Sequence, residues 1–174
     1  TPAAAPSAPV MTTQNMVALG EVLKQRSGLV LGTEKKYLIE SRLSPIMRKH
    51  SLASLDVLAQ AVVSNPKGPI ANEVVEAMTT NESLFFRDGR PFEQLKTKLL
   101  PALAQSRAQS RSLRIWCAAA SHGQEPYSIA MTIKEMGKLF DGWKVEILAT
   151  DIALEVLALA RAGVAVAHAA AETV

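Results

Sequence analysis

At 174 residues the chain is long enough to bury a core, and length alone allows one or two small domains. Its 19 Lys and Arg against 16 Asp and Glu leave a net charge of +3, too weak a balance to argue for nucleic acid, and no run approaches the roughly 20 apolar residues that cross a bilayer. The single cysteine, Cys117, forbids an internal disulfide and fits a reducing compartment, so a soluble cytoplasmic protein without membrane insertion is the expectation.

Residues 1–10 (T-P-A-A-A-P-S-A-P-V) are low in complexity and rich in proline, and residues 1–12 read as a disordered or extended leader. From 13 to 78 the apolar spacing is helical. The first helix carries Met16, Val17, Leu19, Val22 and Leu23 and stops at Gly28. A second, capped by Thr33, carries Tyr37, Leu38, Leu43, Ile46 and Met47, and Pro45 is expected to kink or split it near Ser44. Ser51 or Ser54 caps a third, with Leu55, Leu58, Ala61 and Val62 inward, and residues 70–78 make a fourth. Between residues 31 and 50 there are five Lys and Arg against two acids, so the second helix is basic. On charge alone this is as well read as a solvated face.

Residues 79–111 connect the helical part to the C-terminal third of the chain. Asn81 or Thr80 is expected to cap a short helix, Phe85 and Phe86 to fill a domain interface, and Arg87 to pair with Glu82 or Asp88. A loop that sets Asn, Ser and Arg beside apolar anchors is also where binding residues collect. Asp88 then caps a helix with Phe92, Leu95, Leu99 and Leu100 on its buried side, and an exposed loop comes after it.

The third part, 112–174, opens with a short apolar run (Leu113, Ile115, Trp116, Cys117) that fits a buried strand. A turn of small residues, 118–121, leads to Gly123, where the backbone can turn tightly or approach a ligand closely. Pro126 begins a helix whose buried side is Tyr127, Ile129, Ala130, Ile133 and Met136. Strand, small-residue turn and helix N-terminus form the opening unit of a nucleotide-binding α/β domain. Glu125 in the first helical turn is explained by the helix dipole alone, or as an acceptor for a bound ammonium. His122 reads as a loop residue, with no partners at metal-ligand spacing and no metal expected. After an Asp141-Gly142 turn, residues 143–149 make a second strand with Asp151 just past its end. An acid there holds ribose hydroxyls in α/β nucleotide folds; otherwise Asp151 caps the helix of residues 154–161.

Two blocks sharpen this pattern: W-C-A-A-A-S followed by G-Q-E-P-Y-S-I-A-M, and M-T-T-N-E-S-L-F-F-R-D at 78–88. With A-T-D-I at 149–152, they closely resemble the chemotaxis receptor glutamate O-methyltransferases of the CheR type, from about residue 13 to about residue 164. The resemblance implies an α/β fold class: a small N-terminal all-α domain followed by a truncated Rossmann-like domain that binds S-adenosylmethionine. It assigns Asn81, Ser83, Arg87, Glu125 and Asp151 to the cofactor site, with Arg87 the catalytic candidate through its grip on the cofactor's carboxylate. Ser83 stands where a common form of the block has Thr, and the hydroxyl is kept. Many relatives have Ser where this chain has His122. The basic helix of the family meets the acidic helical bundle of methyl-accepting chemoreceptors, which makes Lys35, Arg42, Arg48 and Lys49 docking candidates.

Residues 165–174 do not continue the pattern, and only two parallel strands can be assigned, a poor sheet alone. The missing half is then absent or supplied by another chain, or strands pair between copies, and exposed edges favour self-association. Little or no turnover is expected from this chain by itself. The competing expectations are a non-catalytic receptor- or partner-binding module, and a nucleic-acid methyltransferase. The latter lacks an interleaved aromatic and basic stripe, so no nucleic-acid partner is expected.

Overall fold

The computed structural model describes residues 11–32 and 36–165. They divide into two units at the Thr80–Asn81 bond. Most of the leader, the Thr33 cap, Lys35 and the tail from residue 166 lie outside the described residues.

The first unit is helical: α1 (Thr13–Ser27), α2 (Lys36–Lys49), α3 (Leu55–Ser64) and α4 (Pro69–Met78). Each helix buries one stripe in a common core, where Leu19, Leu23, Leu43, Leu58 and Val74 are sealed from solvent. The Thr12 hydroxyl accepts the Asn15 N–H and starts α1. Asp56 Oδ1 gathers three donors, the Thr12 N–H and hydroxyl (both 2.9 Å) and the Asn15 side-chain amide (2.6 Å), fastening the head of α1 to the first turn of α3. These donors, Asn15 first, hold the Asp56 carboxyl below its ordinary range. Ser54, not Ser51, caps α3.

Several expectations about this unit need correction. Val17 and Tyr37 are exposed, and Ile39 is buried on α2 beside the expected Leu43 and Ile46. Ala59 is buried on α3, whereas Ala61 is only half-buried. Pro45 does not split α2, which runs unbroken through it. Leu43 and Ile46, on either side of Pro45, are both buried in the core and together offset the roughly 3 kcal/mol that an interior proline costs.

The second unit begins with an irregular segment, 81–89, in which no short helix is capped by Thr80 or Asn81. Helix α5 (Arg90–Gln94) passes through a wide π turn (Leu95–Leu99) into α6 (Leu100–Ser106). The π turn sits where Pro101 can neither donate to the carbonyl four residues back nor avoid crowding it. It also shifts the helical frame, so that Leu100 is buried as expected while Leu99 is exposed, against expectation. Gly89 occupies the cap position of α5, and Asp88, in a left-handed turn, makes no cap bond. Strand β1 (Ser112–Ala118), helix α7 (Gln124–Glu135), strand β2 (Lys144–Thr150) and helix α8 (Leu154–Ala162) complete the unit.

The strands pair in parallel from Ser112↔Lys144 to Ala118↔Thr150. This is the all-α then Rossmann-like α/β order expected, with two strands among the described residues. One sheet face (Leu113, Ile115 and Cys117, with Val145, Ile147 and Ala149) packs on α6 and α7. Trp116 lies on the opposite face, 69% exposed, so it is not the buried strand residue expected. Period-two alternation puts it beside Leu148, its partner in register, and its indole N–H donates to the Thr150 hydroxyl at 2.9 Å. On α7 the inner stripe is Ser128, Ile129, Thr132 and Ile133, while Ala130 is exposed. The two hydroxyl residues tolerate burial by bonding back to carbonyls four residues earlier, Gln124 at 2.7 Å and Ser128 at 2.8 Å. Among the described residues no helix is long and apolar enough to cross a membrane.

Candidate functional site

Three segments of the second unit come together around one small side chain. Ser121, in the turn after β1, donates its hydroxyl to the Asn81 carbonyl at 2.6 Å. Its backbone N–H donates to Asp151 Oδ2 at 2.8 Å. The neighbouring Ala120 N–H reaches the Thr150 carbonyl at 3.0 Å, so the turns after both strands are locked to each other. A second tie runs from the Phe86 N–H to the Ser128 hydroxyl at 2.9 Å, fixing the 81–89 segment to the buried face of α7.

This arrangement brings Asn81, Asp151 and the start of α7 into one neighbourhood. Asn81 and Ser83 are half-buried, and Arg87 is exposed. Its guanidinium donates to the Glu82 main-chain carbonyl at 3.1 Å, not to the carboxylate of Glu82 or Asp88. Phe86 packs edge-to-face on Phe92, with ring centres 5.4 Å apart, inside its own unit. Asp151 is half-buried and does not cap α8, whose cap position is Ala153. Instead Oδ1 accepts the Ala153 N–H at 2.9 Å while Oδ2 holds Ser121. Each carboxylate oxygen has two lone pairs, so both keep capacity for hydroxyl donors.

Gly123 opens α7 at φ +95°, where a Cβ would lie 3.0 Å from Ala160 Cβ and 3.1 Å from the Tyr127 ring. The close approach that requires glycine is therefore to α8, and Tyr127 completes it by donating its hydroxyl to the Ala160 carbonyl at 2.9 Å. Glu125 projects from the exposed first turn of α7. The buried Cys117 thiol lies against it: burial first, then the Glu125 charge and its hydrogen bond with the thiol, raise the thiol to about 11. The Gln124 side-chain oxygen is buried with no hydrogen-bond partner among the described residues. Glu125 and Gln124 thus put acceptor oxygens on the first turn of α7, and Asp151 puts two more in the turn after β2. His122 Nδ1 lies 3.1 Å from the Ser121 hydroxyl, and no metal-holding cluster occurs among the described residues.

Ser121 and Ser128 escape a reading of the sequence. Their partners lie 40 and 42 positions away, beyond any local pattern; the only trace is that both belong to the small-residue and P-Y-S blocks.

In the first unit, Arg42 Nη1 donates to the Met78 and Thr79 carbonyls, both at 3.0 Å, and so closes the C-terminal end of α4. Arg48 is exposed, and Lys49 is exposed while paired with Glu73 at 3.1 Å. Glu73 also contacts His50, and the Lys49 bond chiefly holds its carboxyl below the ordinary range. Lys35 lies outside the described residues.

Comparison with known proteins bears on both units. Residues 81–174 match the family model described as CheR methyltransferase, SAM binding domain, and residues 14–79 match the CheR methyltransferase all-alpha domain. The chain is 49% identical over 144 residues to a chemotaxis protein methyltransferase of Vibrio parahaemolyticus, covering 82% of this chain and 51% of that protein. It is 47% identical to chemotaxis protein methyltransferase 1 of Vibrio cholerae, with the same coverage. Against the chemotaxis protein methyltransferase of Escherichia coli it is 35% identical over 148 residues, 84% of this chain and 48% of that one. The chain spans about half the length of these curated relatives.

Proposed function

Because the chain belongs to the CheR methyltransferase family, we propose that it carries the cofactor-binding and receptor-docking parts of a protein-glutamate O-methyltransferase that modifies chemoreceptors in bacterial chemotaxis. S-adenosylmethionine supplies an electrophilic methyl group on a sulfonium, and S-adenosylhomocysteine is the product. Asp151 accepts the ribose hydroxyls, Glu125 the ammonium, and Arg87 grips the carboxylate with a two-pronged bond that lysine cannot imitate. Asn81 and Ser83 line the same site. The receptor's glutamate carboxylate is already a nucleophile, so no general base is required and the protein's task is alignment, worth roughly 7–11 kcal/mol in well-oriented systems. Turnover is assigned to a chain of the relatives' full length, and little or none is expected from these 174 residues alone.

The observation that carries this reading is the pair of bonds by which Ser121, four residues before Glu125, holds both Asn81 and Asp151. Calorimetric titration of S-adenosylhomocysteine tests it. Micromolar binding by the chain, lost in Asp151→Ala and Glu125→Ala, is expected; a folded chain that binds none contradicts the site and leaves receptor docking as its function.

We assign docking to the basic residues between 35 and 49: Arg48 and Lys49 on α2, Lys35 before it in the sequence, and Arg42, which also closes the end of α4. Receptor binding that weakens on Arg48→Glu is expected, with no comparable affinity for DNA at physiological salt. The reading places the protein in the cytoplasm, in keeping with its single buried, unpaired thiol. Self-association through the uncovered sheet face, with Trp116 and Leu148 at its centre, completes the proposal.

A further inference from the structure

We propose that Ser121 is a positioning residue that holds the Asn81–Arg87 loop in register with the ribose-binding carboxylate of Asp151. The proposal rests on the cofactor reading above and adds to it a residue that need not touch the ligand. Ser121 is buried and held at φ +51°, a left-handed conformation that costs an ordinary residue energy and persists only where its surroundings impose it. Those surroundings are its two bonds. The hydroxyl hydrogen is committed to the Asn81 carbonyl, which can only accept, and the backbone N–H is committed to Asp151 Oδ2. With that hydrogen used, the 3.1 Å contact to His122 leaves Nδ1–H as the donor and Ser121 Oγ as the acceptor. One residue thus carries a tie to each side of the pocket, and the two ties use different atoms.

That division makes the role separable. Ser121→Ala removes the hydroxyl tie to Asn81 and leaves the backbone tie to Asp151. The loop bearing Arg87, which meets the amino-acid end of the cofactor, is then released, while the ribose side keeps its geometry. S-adenosylhomocysteine should bind about tenfold more weakly, as the loss of one well-placed hydrogen bond implies. 5′-Methylthioadenosine, which has the same adenosine and thioether but no amino-acid end, should bind as it does to the wild type. Amide exchange over 81–86, including the Phe86 N–H held by Ser128, should quicken about tenfold, with α1–α4 unaltered. Ser121→Gly, which relieves the backbone strain, should behave alike and carries the test if the alanine variant folds poorly.

Equal weakening of both ligands would overturn the proposal, since a merely structural role disturbs both ends of the pocket. Unaltered exchange over 81–86 would overturn it as well. Should the wild-type chain bind neither ligand, the cofactor reading fails for this chain, and the exchange comparison still decides the case for Ser121.

Discussion

The two units meet the same demand, keeping water from apolar side chains, to different degrees. Four helices in the first unit each have a single stripe to bury, and those stripes close on one another around Leu19, Leu43 and Leu58. A sheet has two faces. In the second unit one face is covered, leaving Leu113 and Cys117 buried, while Trp116 and Leu148 stand opposite each other on the other face, 69% and 57% exposed. Parallel sheets are ordinarily covered on both sides. The difference teaches that the helical unit is closed by its own side chains, whereas the α/β unit holds its loops by hydrogen bonds over a half-covered sheet. The site lies in the less closed unit, where polar ties rather than packing set the geometry.

The largest expected effect tests the closed core. Leu43→Ala should cost about 2–5 kcal/mol, the usual range for emptying a packed leucine site, seen as an earlier loss of helical signal in denaturant. A loss below about 1 kcal/mol would mean that the helical core is loosely packed. Next comes Asp151→Ala, which leaves the Ser121 and Ala153 N–H groups without their acceptor. Bonds to a charged group contribute about 1.5–3 kcal/mol when dry, so about 1–2 kcal/mol is expected at this half-exposed position, confined to probes in the second unit.

Acid and base should strike the two units separately. The Asp56 carboxyl is held low by its donors, so its contribution is present above the unfolded pKa and is lost as pH falls through the folded one, weakening the helical unit in acid. The Cys117 thiol is raised from 9.0 to about 11, so its contribution is present below pH 9.0 and is lost as pH rises toward 11, weakening the α/β unit in alkali. Thermal melts across both ranges check this, and Cys117→Ala should abolish the alkaline part. The smallest effect is expected at the open sheet face. Trp116→Lys should alter stability by no more than about 0.5 kcal/mol while suppressing any self-association seen in sedimentation. Strong destabilisation would mean that this face is covered in solution.

Much of this architecture is readable from the residues, and the failures have physical causes. Amphipathic spacing locates α1, α3, α4 and α7 because burial of one stripe is what forms them. The same spacing finds Leu43 and Ile46 on α2 but places Tyr37 inside and misses Ile39, because at the start of a helix the apolar neighbours Tyr37, Leu38 and Ile39 do not reveal which of them meets the core. Trp116 looks like a core residue because a run of apolar residues does not reveal whether both sheet faces are covered. Pro101 is visible, but the π turn it accompanies and the resulting exposure of Leu99 are not. In the candidate site, Glu125 and Asp151 stand out by type and place. Ser121 and Ser128 do not, because a hydroxyl acquires meaning only when chain closure brings Asn81 and Phe86 to it.

On the proposed reading, the α/β unit by itself holds S-adenosylhomocysteine among three hydrogen-bonded segments. Hydrogen exchange of the whole chain, with and without S-adenosylhomocysteine, tests it most directly. Slower exchange is expected over 81–87, 119–125 and 150–153, with α1–α4 unchanged. Protection confined to the helical unit, or absent from all three segments at saturating ligand, would contradict it.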